Sequence, residues 1–527
     1  MASMLRDRLQ HLSRHADDSE LWQIGHGIEK EGVRVTPAAA VSQTGHPLAL
    51  GSPLTHPYIT TDYSEALLEF TTPVYSDISE ALDFLNTLHA ETVQQLPAGE
   101  AIWNSSMPPV LAGDEYIPIA RYGSSNTGKM RHQYRQGLAC RYGKAMQMIA
   151  GIHYNFSVSQ KFWQELLTVD RSEENITDYI SAGYLALIRN FRRHAWLLFY
   201  LFGATPALDD SFFYGERRHS LQKKQSHTLY HPWATSLRMS DYGYHNSVQA
   251  ELDVSYNTLD RYIDCLHNAI AKPYGPYKKF RSGVEGEHCQ LSSNVLQIEN
   301  EYYSSVRPKR VTREGETALQ ALHRRGVEYV EIRCLDINPF LPLGIDRQQA
   351  CFVDTFLLYC ALENSPMEST AQRAEIERNL TTVAIEGRKP GLVLEHERKE
   401  RTLGDWGREI LDKMAPIAQL LDSVNGCTDH TEALKAAARA LQDASLTPSA
   451  RIMARLHNHS FRDVFMQLSQ TNTEHFRTLS VAQEQHQHLR NLAASSLAHQ
   501  SQQEAMDTAT FDSFLRDYFA NSSVLDR

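Results

Sequence analysis

Three short segments of the chain alternate in a way that fixes which side chains share a face. In an extended strand, successive side chains point to opposite sides, and residues i and i+2 stand about 7 Å apart. Residues 151–157, GIHYNFS, put Ile152, Tyr154 and Phe156 on one face and His153, Asn155 and Ser157 on the other. Residues 329–333, YVEIR, set Val330 and Ile332 against Glu331 and Arg333. In residues 27–35, GIEKEGVRV, Glu29 and Glu31 share a face that Val33 and Val35 continue, so both carboxylates sit at the edge of an apolar region. A fourth segment, 64–73 (SEALLEFTTP), is readable as helix or strand. Either way Glu65 and Glu69 share a face, and Asp62 lies one heptad before Glu69.

Each segment alone has an ordinary explanation. Glu331 with Arg333 is a same-face ion pair, His153 a satisfied core histidine, and Glu29 with Glu31 a solvated strand face. Recurrence changes the reading. If these strands share a sheet, its polar face is a basin lined with carboxylates, and like charges so close cannot all stay ionised unless cations neutralise them. Oxygen ligands with one imidazole suit Mg2+ or Mn2+. Arg238 and Arg333 add binding for a substrate carboxylate or a phosphate. Carboxylates, a divalent metal and arginines together point to phosphoryl chemistry on a nucleotide, where catalysis is positioning and charge neutralisation.

The rest of the chain bounds this reading. Its 527 residues are 42% hydrophobic, enough to bury a sizeable core. The formal charge of -11 argues against a nucleic-acid surface. The basic run Arg307-Pro-Lys-Arg310 is a short exception, equally a solvated loop or an anion-binding element. Seven thinly spread cysteines form no CxxC and fit free thiols in a reducing compartment. The first ten residues lack an apolar signal-peptide core, and the apolar run 196–202 is too short to span a bilayer, so a cytoplasmic location is expected. Residues 123–129, GSSNTGK, imitate a phosphate loop, but Met130 stands where the magnesium hydroxyl belongs, and a surface turn is expected. Residues 1–345 read as a catalytic sheet region with peripheral helices. Residues 346–527 read as a mostly helical part packed on it, with helices over 349–362, 372–386, 403–423, 431–444 and 449–468. Residues 481–508 read as a solvated helix. The class is α+β.

At these residues the chain resembles the glutamate–cysteine ligases of proteobacterial type. The matching stretches include GIEKEGVRV at Gly27, GHPLALGSPLTHPYITTDYSEALLEFTTPV at Gly45 and YRQGLACRYGKAMQMIAGIHYNFS at Tyr134. They continue with ATSLRMSDYGY at Ala234, SSNVLQIENEYYSSVRPKRVTR at Ser292 and GVEYVEIRCLDINPF at Gly326, and the likeness runs from about residue 20 to 395. The resemblance implies a glutamine-synthetase-like antiparallel sheet forming a funnel. It also implies that ATP phosphorylates the γ-carboxylate of L-glutamate and that the amine of L-cysteine then displaces phosphate. Carried over residue by residue, the metal ligands are Glu29, Glu31, Asp62, Glu69, His153 and Glu331. The substrate arginine is Arg238, and Arg333 lies near the transferring phosphate. The cysteine pocket comprises Tyr63, Tyr134, Leu138, Asn155, Tyr244 and Tyr303. The cofactor is Mg2+, or Mn2+, with ATP as co-substrate. The partners are small molecules, with no nucleic acid, membrane or obligate protein partner, and no cysteine of the chain serves as a nucleophile. Three other readings compete: a related ligase using another amine, a two-metal phosphohydrolase, and a nucleotide-binding regulator without activity.

Overall fold

The computed structural model describes residues 4–214, 219–224, 226–243, 247–281 and 289–522. Its centre is a seven-stranded sheet whose pairings are all antiparallel. The long strand β1 (Ile24–Val35) lies between β3 (Leu67–Thr71) and β5 (Ile152–Val158) and also pairs with β4 (Ala101–Trp103). On one side β2 (Ile59–Thr61) completes the path next to β3. A separate three-stranded sheet is built from β6 (Ala207–Asp209), β7 (Gln222–Lys224) and β8 (Thr228–Tyr230). On the other side of the main sheet stand β10 (Tyr329–Leu335), beside β5, and β9 (Val306–Lys309) at the edge. The basic run is thus a strand rather than a loop, and Pro308 is tolerated because an edge strand has one side without ladder bonds.

Alternation divides the sheet as the sequence predicts. Ile152, Tyr154 and Phe156 are buried on the face that packs on helices, as are Val330 and Ile332. Helices Ile78–Gln95, Ile176–His194, Arg347–Leu362 and Phe461–Thr478 supply the other side of this core. Arg347–Leu362 begins at Asp346, whose carboxylate accepts from Gln349 N, and is buried from Gln349 to its end. Its one buried acid, Asp354, is satisfied by the sheet: His26 Nε2 lies 3.0 Å from Oδ2, and the Tyr154 hydroxyl donates to Oδ1 at 2.8 Å. Lys30 also points into this face, where Nζ donates to Pro342 O and lies 3.1 Å from His89 Nε2.

The predicted C-terminal helices appear as Arg347–Leu362, Thr370–Glu386, Leu403–Asn425 and Asp429–Gln442. The expected helix over 449–468 is instead two, Pro448–Arg455 and Phe461–Thr478. Ser460 caps the second reciprocally with Asp463, which ends any continuous helix there. Between the first two pairs of helices, β11 (Val393–His396) and β12 (Lys399–Thr402) form a hairpin, with Glu397 and Arg398 at positive φ. Residues 196–202 form a short buried helix, and among the described residues no helix is long and apolar enough to cross a membrane.

Candidate active site

Above the polar face of the sheet lies a cavity of about 1280 Å³. The antiparallel register builds its floor. Glu29 pairs with His153 across β1 and β5, Glu31 with Glu69 across β1 and β3, and Glu331 with Arg307 across β10 and β9. The ambiguous segment 64–73 is therefore a strand where Glu69 lies. Glu65, expected on the same face, sits in the turn before β3 and accepts from the backbone amides of His46 and Arg121. Asp62 lies in that turn at the end of β2, and its charge acts on both Glu31 and Glu69.

The floor is tightly coupled. His153 Nδ1 is 3.1 Å from Glu29 Oε2 and 3.8 Å from Glu331 Oε1, and its Nε2 is 3.9 Å from Glu31 Oε1. Single ligand atoms of Glu29, Glu69 and His153 fall within 4.8 Å of one another. Arg333 Nη1 lies 3.1 Å, and Lys309 Nζ 3.5 Å, from Glu331 Oε1. Glu331 Oε2 is buried and has no hydrogen-bond partner among the described residues.

These contacts separate the carboxyls into two kinds. Burial opposes the charge of Glu331, but Arg333 and Lys309 outweigh it and hold the group well below the usual carboxylate range. Burial likewise opposes Glu29, and the hydrogen bond with His153 tips it below its ordinary value. Burial and the negative charge of Asp62 push Glu31 up to about 8 and Glu69 well above its ordinary value. Burial and Arg333 depress the His153 imidazole, which favours the neutral, ligating form.

The walls carry most of the remaining predicted residues. Arg238 is buried in the cavity wall, donating through Nη2 to Arg333 O at 2.8 Å, with Asp336 Oδ1 3.5 Å from Nη1. Tyr134 and Leu138 project from helix Asn126–Tyr142, and Tyr63 and Tyr303 also border the cavity. The Tyr63 hydroxyl is buried without a hydrogen-bond partner among the described residues, whereas the Tyr303 hydroxyl donates to Gln147 Oε1 at 3.0 Å. Asn155 is not among the residues lining the cavity; its Nδ2 donates to Glu29 Oε1 at 2.9 Å. Tyr244 lies outside the described residues. Sequence reasoning missed Arg131 and Arg135, which enter the cavity from helix Asn126–Tyr142, Gln147, and the C-terminal residues Phe514, Asp517 and Tyr518. The spacing of the two arginines, one helical turn apart, was the available signal.

A sheet-borne carboxylate basin ringed by arginines is the kind of site that suits an enzyme acting on anionic, phosphate-bearing reactants. Comparison with known proteins specifies the reaction. The family model described as glutamate-cysteine ligase matches residues 9–383. The chain is 49% identical over 526 residues to the glutamate–cysteine ligase of Azotobacter vinelandii, covering 99% of each. It is 48% identical over 523 residues to that of Pseudomonas aeruginosa strain PAO1, again covering 99% of each. A crystal structure of the Francisella tularensis glutamate–cysteine ligase in complex with AMP superposes with a TM-score of 0.90 at 34% identity, covering 96% of this chain and 99% of that one. A bifunctional glutathione synthetase from Pasteurella multocida matches with a TM-score of 0.67 at 25% identity, over 89% of this chain and 53% of that one. The chain belongs to the glutamate–cysteine ligase family. Its reaction is the ATP-dependent joining of the glutamate γ-carboxylate to the cysteine amine, which opens glutathione biosynthesis.

Proposed function

We propose that this basin is the ligation site, where ATP, glutamate and cysteine converge above the polar face of the sheet. The observation that carries the reading is one cavity lined by Glu29, Glu31, Glu69, His153 and Glu331 together with Arg238 and Arg333. With Asp62, the acids and His153 suit Mg2+, or Mn2+. Their donors are hard oxygens and one neutral imidazole, two carboxyls are pushed toward neutrality by burial and a neighbouring charge, and Glu331 presents a buried oxygen with no partner among the described residues. Bound there, such cations would draw the nucleotide phosphates and the glutamate carboxylate together and screen their charges.

The chain's own residues then divide the work. A carboxylate is a poor acyl donor because its oxide is a poor leaving group, and phosphorylation replaces that group with a good one. Arg238 holds a carboxylate of glutamate in the bidentate manner of a guanidinium. Arg333, with Arg307 and Lys309 alongside, balances charge on the phosphoryl group in flight. The γ-carboxylate oxygen attacks the terminal phosphorus, ADP leaves, and the cysteine amine attacks the resulting acyl carbon to expel phosphate. Tyr63, Tyr134, Leu138 and Tyr303 form the cysteine pocket, joined by Tyr244 on the strength of the family resemblance. Asn155, given to the same pocket by that resemblance, also steadies Glu29 through its hydrogen bond. Crystallisation of the Francisella tularensis relative in complex with AMP supports nucleotide binding by this chain. All seven cysteines are free thiols, which fits a reducing compartment and a cytoplasmic location.

Mn2+ binding followed by electron paramagnetic resonance tests the metal assignment. Glu331→Gln or Glu69→Gln should weaken Mn2+ binding at least about tenfold, roughly the 1.4 kcal/mol that separates a decade of affinity. Unchanged binding in both variants would remove these residues from the metal site.

A further inference from the structure

We propose that residues 483–522 form a strap that completes the catalytic cavity and shields the acyl phosphate from water; the inference rests on the ligase reading above. The tail is rich in Gln, His, Ser and Ala and reads as a solvated helix, yet helix Gln483–Met506 buries Leu489, Ala493 and Ser496. It comes so close to the catalytic region that a β-carbon at Gly51, where φ is +85°, would stand 2.4 Å from Ser496 Oγ and 2.8 Å from Ala493 Cα. Ser52 N donates to Ser496 Oγ at 2.9 Å, and Thr55 Oγ1 donates to Ser496 O at 2.6 Å.

The strap next seats itself on the segment that imitates a phosphate loop. Ser124 N donates to Glu504 Oε1 at 2.8 Å, and Asn126 Nδ2 donates to Asp507 Oδ1 at 2.7 Å and to Ala509 O at 2.9 Å. A helix N-terminus attracts anions, and here the chain's own Glu504 and Asp507 meet the N-terminus of Asn126–Tyr142, the helix that carries Tyr134 and Leu138. The same loop leads back to the floor, because the Tyr122 hydroxyl lies 3.0 Å from Asp62 O. Beyond this anchor runs helix Phe511–Ser522, tied at its far end by Gln320 Nε2 donating to Asn521 O at 2.7 Å. Phe514 and Tyr518, one helical turn apart, border the same cavity as Glu29 and Arg333.

The chemistry needs such a wall. Water attacking the acyl carbon breaks the bond to the phosphate oxygen and returns glutamate and inorganic phosphate, so ATP is consumed without a dipeptide. Closing a site against water suppresses that side reaction. Phe514 and Tyr518 act here as positioning residues that fill space at the cavity wall.

The test measures ADP and γ-glutamylcysteine in the same reaction, and ADP formed from glutamate and ATP with cysteine left out. The intact chain should release ADP and dipeptide in equal amounts. The Phe514→Ala/Tyr518→Ala double variant, and a chain ending at Ala509, should release severalfold more ADP than dipeptide and a matching glutamate-dependent excess without cysteine. Tyr518→Phe should restore the balance, because bulk rather than the hydroxyl is required. If ADP and dipeptide stay matched in the double variant, the proposal is overturned, whatever happens to kcat or KM. If the intact chain makes no dipeptide at all, the ligase reading fails instead. A truncated chain that loses its thermal transition leaves the decision to the double variant.

Discussion

Arg238 and Gly151 occupy one space: Nη2 of the guanidinium lies 2.1 Å from where a β-carbon on Gly151 would stand. The glycine therefore permits Arg238 to reach the backbone of β10, where it donates to Arg333 O, while Asp336 behind it is held by Ala204 N, Thr205 and Ser236. The guanidinium is held by the protein's own backbone and by Asp336, and its position depends on the absence of a side chain at Gly151.

Gly151→Ala is accordingly expected to act like a mutation of Arg238 itself. Losing a hydrogen bond to a charged group costs roughly 1.5–3 kcal/mol, or about ten- to a hundredfold in affinity. Both Gly151→Ala and Arg238→Lys should raise the KM for glutamate by that range and leave the KM for cysteine nearly unchanged. Steady-state kinetics with each substrate varied in turn checks this. An effect on ATP alone would move Arg238 to the nucleotide.

Glu331→Gln should nearly abolish turnover while the thermal transition is kept. The substitution removes the negative charge that Arg333 and Lys309 share and leaves two half-buried cations without it. Retained turnover at saturating Mg2+, with an unaltered metal dependence, would contradict its assignment.

Tyr303→Phe should raise the KM for cysteine and leave those for ATP and glutamate near their starting values. The hydroxyl lies against the Gln147 amide, 2.9 Å from Nε2 and 3.0 Å from Oε1, so a substrate carboxylate would take its proton in place of Oε1 while Nε2 still donates to it. If Tyr303 only fills the wall, Phe is tolerated and cysteine kinetics do not move.

Lys30 makes a prediction about stability. Burial lowers its ammonium to about 7, and the neutral His89 beside it offers no counter-charge. The unfolded chain binds this proton more tightly than the folded one, so folding stability should rise as pH climbs from about 7 toward the ordinary lysine range, by at most about 1.4 kcal/mol per pH unit. Denaturant melts of the wild type and Lys30→Met across that window should differ in slope, with the variant flatter. Parallel curves would show that Lys30 finds a partner in the fold.

The floor of the site was legible because a strand has a period of two, and burial on one side forces the other side's chemistry together. His153, Glu331 and Arg333 fall where alternation puts them. Glu69 was ambiguous because 64–73 satisfies both periods, and Glu65 escaped because a turn has neither. Arg307 and Lys309 were visible as charge but not as strand, since Pro308 speaks against a strand except at an edge. The C-terminal strap was illegible for a different reason. Its anchors are Ser496, Glu504, Asp507 and backbone amides, groups that leave no hydrophobic period behind.

The order of events put forward for the basin is transfer of the terminal phosphoryl group of ATP onto the glutamate γ-carboxylate, followed by attack of the amine. Glutamate labelled with oxygen-18 in that carboxylate tests it most directly. Turned over with ATP and cysteine, the labelled substrate should give inorganic phosphate carrying one labelled oxygen for each γ-glutamylcysteine formed, read by mass spectrometry. Unlabelled phosphate alongside dipeptide would mean that no acyl phosphate forms and that the amide bond arises by another route.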